Sequence, residues 1–313
     1  MFRISRTSFK PLDKQWDVII IGGGPAGVVA GLYSARYGLK TLLISPDKGG
    51  MLTEASFIEN YPGFISISGP DLAERLFEQY EKNGGHYLKD KVSDIKKDKN
   101  FIVITEGGYE LEAKAIILAT GSRRRKLNVK GENLPGVSYC AECDAPLFKG
   151  KTVAVVGGGN TAFHDALVLS NYANKVYLIH RRDQFRAESY LVENAKKKDN
   201  IEFILNSVVK EIRGQNKVES IIVQDKEGNT KELKVDGVFV AIGMETNIEL
   251  AKKLGVQLDE RGKIIVDRCQ RTNIQYVYAA GNITNNCCDL DQIVTSMAQG
   301  AIAAKSAYED LLK

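Results

Sequence analysis

Cys140-Ala141-Glu142-Cys143, followed at once by Asp144, holds two sulfurs at a spacing that lets them close a small disulfide ring. Thiol–disulfide exchange needs a thiolate to attack, a thiol to leave and access for the partner disulfide. Two electrons entering such a ring break the S–S bond and expel one sulfur as a thiolate, which needs a proton nearby. Asp144 is placed to manage that proton. The same spacing suits half of a zinc site, but a structural zinc needs two further ligands. Cys287-Cys288 supply them only if the fold brings them close, so the expectation is redox chemistry and no metal. Glu142, between the cysteines, disfavours a thiolate by like-charge repulsion if it lies close, and has little effect if it is exposed and screened by water.

A dithiol needs a source of electrons, and two glycine-rich turns flank this one. Asp17 to Ile21 is an apolar run that leads into Gly22-Gly23-Gly24-Pro25-Ala26-Gly27, and Thr152 to Val156 leads into Gly157-Gly158-Gly159-Asn160-Thr161-Ala162. Each turn is followed by a helical stretch and a second apolar strand, Thr41 to Ile44 in one and Val176 to Ile179 in the other, ending at Ser45 and His180. Both read as the βαβ unit of a dinucleotide-binding fold. The first glycine permits a tight turn, the second lets a pyrophosphate approach the backbone, and the third position, Gly27 or Ala162, lets the helix pack close to the strand. The helix N-terminus presents N–H groups and partial positive charge to phosphates. Such a motif is weak alone, but the repeat in the same context is not.

The second strand of the second repeat ends in His180-Arg181-Arg182, with Arg186 expected one helical turn further on. An acidic residue at that position binds the ribose hydroxyl of NAD, whereas arginine accommodates a 2′-phosphate, so NADPH is expected there. Arg123-Arg124-Arg125-Lys126 is less informative, since an exposed loop after a strand explains it as well as steering of an acidic partner does.

The fold class expected is α/β, with two Rossmann-like dinucleotide-binding domains, the second inserted into the first. Ala119-Thr120-Gly121 follows the strand Ala115 to Leu118, and Val240-Ala241-Ile242-Gly243 closes a second strand. These two exits mark the crossings between a discontinuous domain, 1–119 with 244–313, and an inserted one, 120–243, which carries the Cys-x-x-Cys. Gly262 to Asp267, then Arg271-Thr272, then Val277 to Gly281 reads as strand, turn and strand in the first domain. One flavin cannot face both a nicotinamide and a disulfide of the same domain at once, so the crossings are expected to act as hinges.

Composition agrees with a soluble two-domain enzyme. The chain has 313 residues, 43% hydrophobic and 26% charged, with a net charge of +4, too weak a bias to suggest nucleic acid or a membrane surface. Residues 1–16 carry basic side chains with no apolar stretch behind them, so neither a signal peptide nor a membrane anchor is expected. Five cysteines without a regular framework fit a reducing, cytoplasmic setting.

Taken together, Gly22 to Gly27, Gly49-Gly50-Met51-Leu52-Thr53, Asn60-Tyr61-Pro62-Gly63, Ala119 to Gly121, Cys140 to Asp144, Gly157 to Ala162, His180 to Arg182 with Arg186, and Ala279-Ala280-Gly281 with Gln292 carry a resemblance. The chain resembles the low-molecular-weight thioredoxin reductases from about Asp17 to Tyr308. The resemblance implies FAD in the discontinuous domain, bound by Gly22, Gly24, Pro25, Ala26, Gly27, Gly50, Met51, Leu52, Asn60, Ala119, Thr120, Gly121, Gly281, Asn282, Gln292 and Ile293. It implies NADPH on Gly157, Gly159, Asn160, Thr161, Ala162, His180, Arg181, Arg182, Arg186 and Gly243, and a homodimer. Electrons then pass from NADPH to FAD, to the disulfide, and on to a thioredoxin-like protein. Cys143 matches the sulfur nearer the flavin, Cys140 its partner, and Asp144 the proton donor and acceptor.

Three departures bear on the flavin. Asn282 stands where the family usually has aspartate, Asp291 where it usually has arginine, and Met51 where it usually has glutamine. Asp291 is expected either to cap the following helix or, if close to the flavin, to oppose its anionic reduced form. Two other readings use the same residues. An NAD(P)H oxidase leaves the cysteines incidental, against the retention of Cys140, Cys143 and Asp144, and a non-catalytic flavin-binding redox sensor leaves the arginine cluster without a purpose.

Overall fold

The computed structural model describes residues 13–55, 58–285 and 290–313. Cys287 and Cys288 lie outside the described residues. The chain divides into two compact units, one running to Ser122 and resuming at Thr246–Lys313, the other Arg123–Glu245.

The first unit begins with β1 (Gln15–Ile21), whose residues Val18 to Ile21 are all buried, as expected of a strand covered on both faces. Helix α1 (Pro25–Arg36) follows directly, its start fixed by proline at the first turn, where a missing N–H costs nothing. Then come β2 (Thr41–Ser45), α2 (Gly69–Lys82), β3 (His86–Lys89), β4 (Val92–Lys97), β5 (Phe101–Thr105) and β6 (Glu110–Leu118). Ser68 caps α2 by accepting from the Asp71 N–H, and Leu72, Leu76, Phe77 and Tyr80 turn its apolar face inward.

β1 lies between β2 and β6, parallel to both. The long β6 shares its outer edge: residues 110–113 pair with β5, and Ile116 to Leu118 with a later strand. The chain crosses between units through β7 (Ser122–Arg124).

The second unit contains β8 (Val137–Ser138), α3 (Ala141–Asp144), β9 (Thr152–Gly157), α4 (Asn160–Ser170), β10 (Lys175–Ile179), α5 (Ser189–Lys196) and β11 (Ile201–Ile204). Three antiparallel strands, β12 (Ser207–Arg213), β13 (Ser220–Asp225) and β14 (Thr230–Lys234), form a separate sheet before β15 (Gly237–Ala241) returns to the parallel one, whose order is β11-β10-β9-β15-β8. The return crossing, β16 (Met244–Thr246), pairs with β7.

The first unit closes with α6 (Glu249–Lys253), β17 (Val277–Ala279) and α7 (Ile293–Leu311). Here the expected strand from Gly262 to Asp267 does not form. Ile264 makes only isolated bridges, to Leu258 and Thr284, because the segment's N–H groups go to separate partners: Ile264 to the Ile283 carbonyl, Ile265 to the Gln257 carbonyl and Val266 to Asn285 Oδ1. β17 does form and supplies the parallel edge of β6. Helix α7 lies tightly along α1: a Cβ on Gly300 would sit 2.1 Å from the Ala26 carbonyl oxygen, so only glycine allows this approach.

Candidate active site

In the second unit the dithiol is a closed disulfide. Cys140 and Cys143 are bonded, with Cα atoms 5.4 Å apart, and both are half-buried. Cys140 caps α3, its sulfur accepting from the Cys143 N–H at 3.3 Å. The turn is seated by Ala141 and Ala145, which bury against Phe163 and Ala166 of α4. Asp144 N–H donates to the Cys140 carbonyl at 3.2 Å, and its Oδ2 accepts from Ser138 Oγ at 2.7 Å. Ser138 Oγ in turn accepts the Cys140 N–H at 3.1 Å.

Charge surrounds this turn unevenly. Glu142 is exposed and lies 3.7 Å from His164 Nε2, so it points to solvent and toward a group able to balance it. Arg124 donates through Nη1 to the Tyr139 carbonyl, and its guanidinium lies 5.7 Å from the centre of the Tyr139 ring. Of the basic run from Arg123 to Lys126, only Arg124 is drawn into the protein; the other three are exposed. Asp165 is buried on α4, and burial pushes its carboxyl up to about 6, with His164 and Arg124 opposing and Glu142 reinforcing. Among the described residues no group of three His, Cys, Asp or Glu side chains gathers as a metal site would require.

The glycine turn of the first unit leaves an open surface. Gly22 has φ +114°, and a Cβ there would lie 2.2 Å from the Ala119 oxygen; at Gly27 it would lie 1.9 Å from the Gly22 oxygen. At Gly24 the nearest atom to such a Cβ is 3.8 Å away. Gly24 is the N-cap of α1 and no side chain caps that helix, so its first N–H groups face the opening. Gly49 N–H donates to the Gly23 carbonyl at 2.9 Å, which brings Gly50, Met51 and Leu52 beside the same turn.

The remaining residues expected on this side are held by partners that the sequence did not announce. Asn247 bridges the strand exit, accepting from Thr120 Oγ1 at 2.5 Å and donating Nδ2 to the Thr120 carbonyl at 2.9 Å. Gly281 N–H donates to Gln299 Oε1 at 2.6 Å, and Asn282 Oδ1 accepts from Ser296 Oγ at 3.1 Å. Asn60 Nδ2 reaches Gln292 Oε1 at 3.1 Å. Gln292, not Asp291, caps α7, forming a reciprocal box with Thr295; Ile293 is the first helical residue. Asp291 instead pairs with Lys263.

The second glycine turn repeats the first with one more constraint. A Cβ on Gly157 would lie 2.3 Å from the Ala241 oxygen, and one on Gly158 2.3 Å from the His180 ring, while Gly159 has nothing within 4 Å. Gly159 caps α4 without a side-chain bond. The stretch expected to carry Arg186 on a helix is not helical: α5 starts only at Ser189, and the preceding residues curl back over the turn. Arg186 N–H donates to the Gly158 carbonyl at 2.9 Å, and the Asn160 amide holds Glu188 through its N–H and Oε1 at 2.8 and 2.9 Å. Arg181, Arg182 and Arg186 are exposed, and among the described residues none is in an ion pair. Burial, with these three charges adding, holds His180 below the usual imidazole range, while its Nε2 lies 3.2 Å from the Gln184 carbonyl. Three exposed arginines, outnumbering the nearby acids Asp183 and Glu188 at the start of a helix without a side-chain cap, suit a multiply charged anion. Gly243, with φ +96°, accepts from the Arg125 N–H at 3.1 Å at the end of β15.

Residues 16–303 match the family described as pyridine nucleotide-disulphide oxidoreductase. A thioredoxin reductase of Listeria innocua is 40% identical over 303 residues, covering 95% of this chain and 94% of that protein. One of Bacillus subtilis is 40% identical over 300 residues, with 94% of each chain covered. The crystal structure of thioredoxin reductase from Streptococcus pyogenes superimposes with a TM-score of 0.81 at 39% identity, covering 96% of this chain and 99% of that one.

Proposed function

The chain belongs to the pyridine nucleotide-disulphide oxidoreductases, in their low-molecular-weight thioredoxin reductase branch, and we propose that electrons run from NADPH through FAD to the Cys140–Cys143 disulfide and on to a thioredoxin-like protein. The observation that carries the proposal is the closed, half-exposed disulfide with Asp144 fixed beside it. An oxidase has no use for that pair.

FAD fits the first unit and NADPH the second. In the first, the open face over Gly24 and the uncapped start of α1 suit a pyrophosphate, and Gly50, Met51 and Leu52 border it. In the second, Gly159 offers the same opening, and Arg181, Arg182 and Arg186 suit a 2′-phosphate. When bound, the nicotinamide supplies two electrons as hydride and the flavin relays them to sulfur.

The rest is the work of this chain. Two electrons break the Cys140–Cys143 bond, and the carboxyl of Asp144 holds and gives up the proton taken by the expelled sulfur. One sulfur, as thiolate, attacks the partner's disulfide and forms a mixed disulfide, releasing one partner thiol. The other sulfur then attacks that bond, closing Cys140–Cys143 again and releasing the second partner thiol, so both electrons leave with the substrate. A homodimer and a cytoplasmic setting accompany this reading; among the described residues no helix is long and apolar enough to cross a membrane.

The test is turnover of a disulfide-containing thioredoxin-like protein with NADPH and NADH side by side. Efficient turnover favouring NADPH is expected. NADPH consumption that yields peroxide but no thiols would return the protein to the oxidase reading.

A further inference from the structure

Ser138 is the last residue of β8, paired beside Phe239 of β15 and only 6% exposed, so its hydroxyl is set by the sheet and not by solvent. That hydroxyl has one proton and two lone pairs. The N–H of Cys140 occupies a lone pair at 3.1 Å. Two acceptors compete for the proton: Asp144 Oδ2 at 2.7 Å and the Cys140 carbonyl at 3.4 Å. With Asp144 ionised, the shorter, charge-assisted bond wins. With Asp144 protonated, the carboxyl can donate to the Ser138 oxygen while the hydroxyl turns to the Cys140 carbonyl. The same side chain thus satisfies the acid before and after it moves a proton. It leaves the other carboxylate oxygen for the exchange.

We propose that Ser138 is a positioning residue for the proton transfer at the dithiol, holding the Asp144 carboxyl toward the redox turn in both of its protonation states. The inference rests on the role proposed for Asp144 and adds to it the residue through which that role depends on the backbone of Cys140. The charged groups gathered on this turn are Glu142 of α3, His164 and Asp165 of α4, and Arg124 of β7; Ser138 is the neutral group that touches Asp144 itself.

The experiment compares the parent, Ser138→Ala, Ser138→Thr and Asp144→Asn, with Ser138→Ala also placed in the Asp144→Asn background. Each is assayed for NADPH-driven flavin bleaching and, across pH, for reduction of a thioredoxin-like disulfide. Losing a charge-assisted bond should slow disulfide reduction by Ser138→Ala about tenfold or more. It should also move upward the limb of the pH profile that Asp144 sets, because the ionised form loses a donor. Bleaching should keep its rate, Ser138→Thr should retain the parent profile, and Ser138→Ala should cost nothing further once Asp144 is Asn. A parent that turns over while Ser138→Ala matches it in rate and profile would overturn the inference alone. So would an undiminished effect of Ser138→Ala in the Asp144→Asn background. A parent that reduces no disulfide would instead overturn the function it rests on.

Discussion

Lys263 Nζ lies 3.1 and 3.2 Å from the two oxygens of Asp291, immediately ahead of the N-cap of α7. The acid that departs from the family pattern therefore arrives already paired, and it neither caps the helix nor stands as a lone negative charge. The Lys263 side chain is 13% exposed and that of Asp291 39%, between a surface pair and a buried one. A double-mutant cycle with Lys263→Gln and Asp291→Asn, read by urea unfolding of the FAD-loaded protein, should give a coupling of about 1 kcal/mol. Strict additivity would mean the pair contributes nothing.

Asp165 should make stability fall with rising pH. Its carboxyl is pushed up to about 6 from an ordinary value of 3.8, mainly by burial, so the folded chain keeps a proton that the unfolded chain has already lost. Stability from this group is therefore full below about pH 4 and declines as pH rises through about 6. Asp165→Asn, which keeps the shape and cannot ionise, should gain on the parent by about 2–3 kcal/mol between about pH 4 and about pH 8. Unfolding midpoints at both ends measure it, and a pH-independent difference would refute it.

The arginines above the second glycine turn should govern cofactor choice. Each charge-assisted hydrogen bond to a 2′-phosphate contributes about 1.5–3 kcal/mol, so losing one should weaken NADPH about tenfold to a hundredfold. NADH lacks that phosphate. The ratio of kcat/KM for NADPH to that for NADH should therefore collapse in an Arg181→Ala/Arg182→Ala variant. Equal loss with both cofactors would make the cluster an element of the fold.

What was legible in the sequence is what local chemistry writes there. The two strand–turn–helix–strand repeats are readable because each is a short apolar run, a glycine turn and a second apolar run, with partners close in the chain. The Cys-x-x-Cys is readable for the same reason. Gly262 to Asp267 looks like a strand on its own apolar residues, but its N–H groups go to two carbonyls of separate segments and one side chain, so no ladder forms. Arg186 looks helical by spacing, yet its N–H is claimed by the Gly158 carbonyl. Ser138, Asn247 and Gln299 carry no signal, because each acts across a distance in sequence or through one bond that no periodicity records. Gly300 is similar, its need set by a helix far away in the chain.

The most direct test is Cys143→Ser, titrated anaerobically with NADPH and then assayed against a thioredoxin-like disulfide. Hydride delivery does not use the thiol, whereas onward transfer does. The variant should hold FAD, bleach with NADPH and reduce no protein disulfide, and Cys140→Ser should fail in the same way. Exposed Cys269 serves as the control, since its replacement by Ser should leave both steps intact. Near-normal disulfide reduction by either the Cys140 or the Cys143 variant would contradict the assignment of this pair as the redox centre.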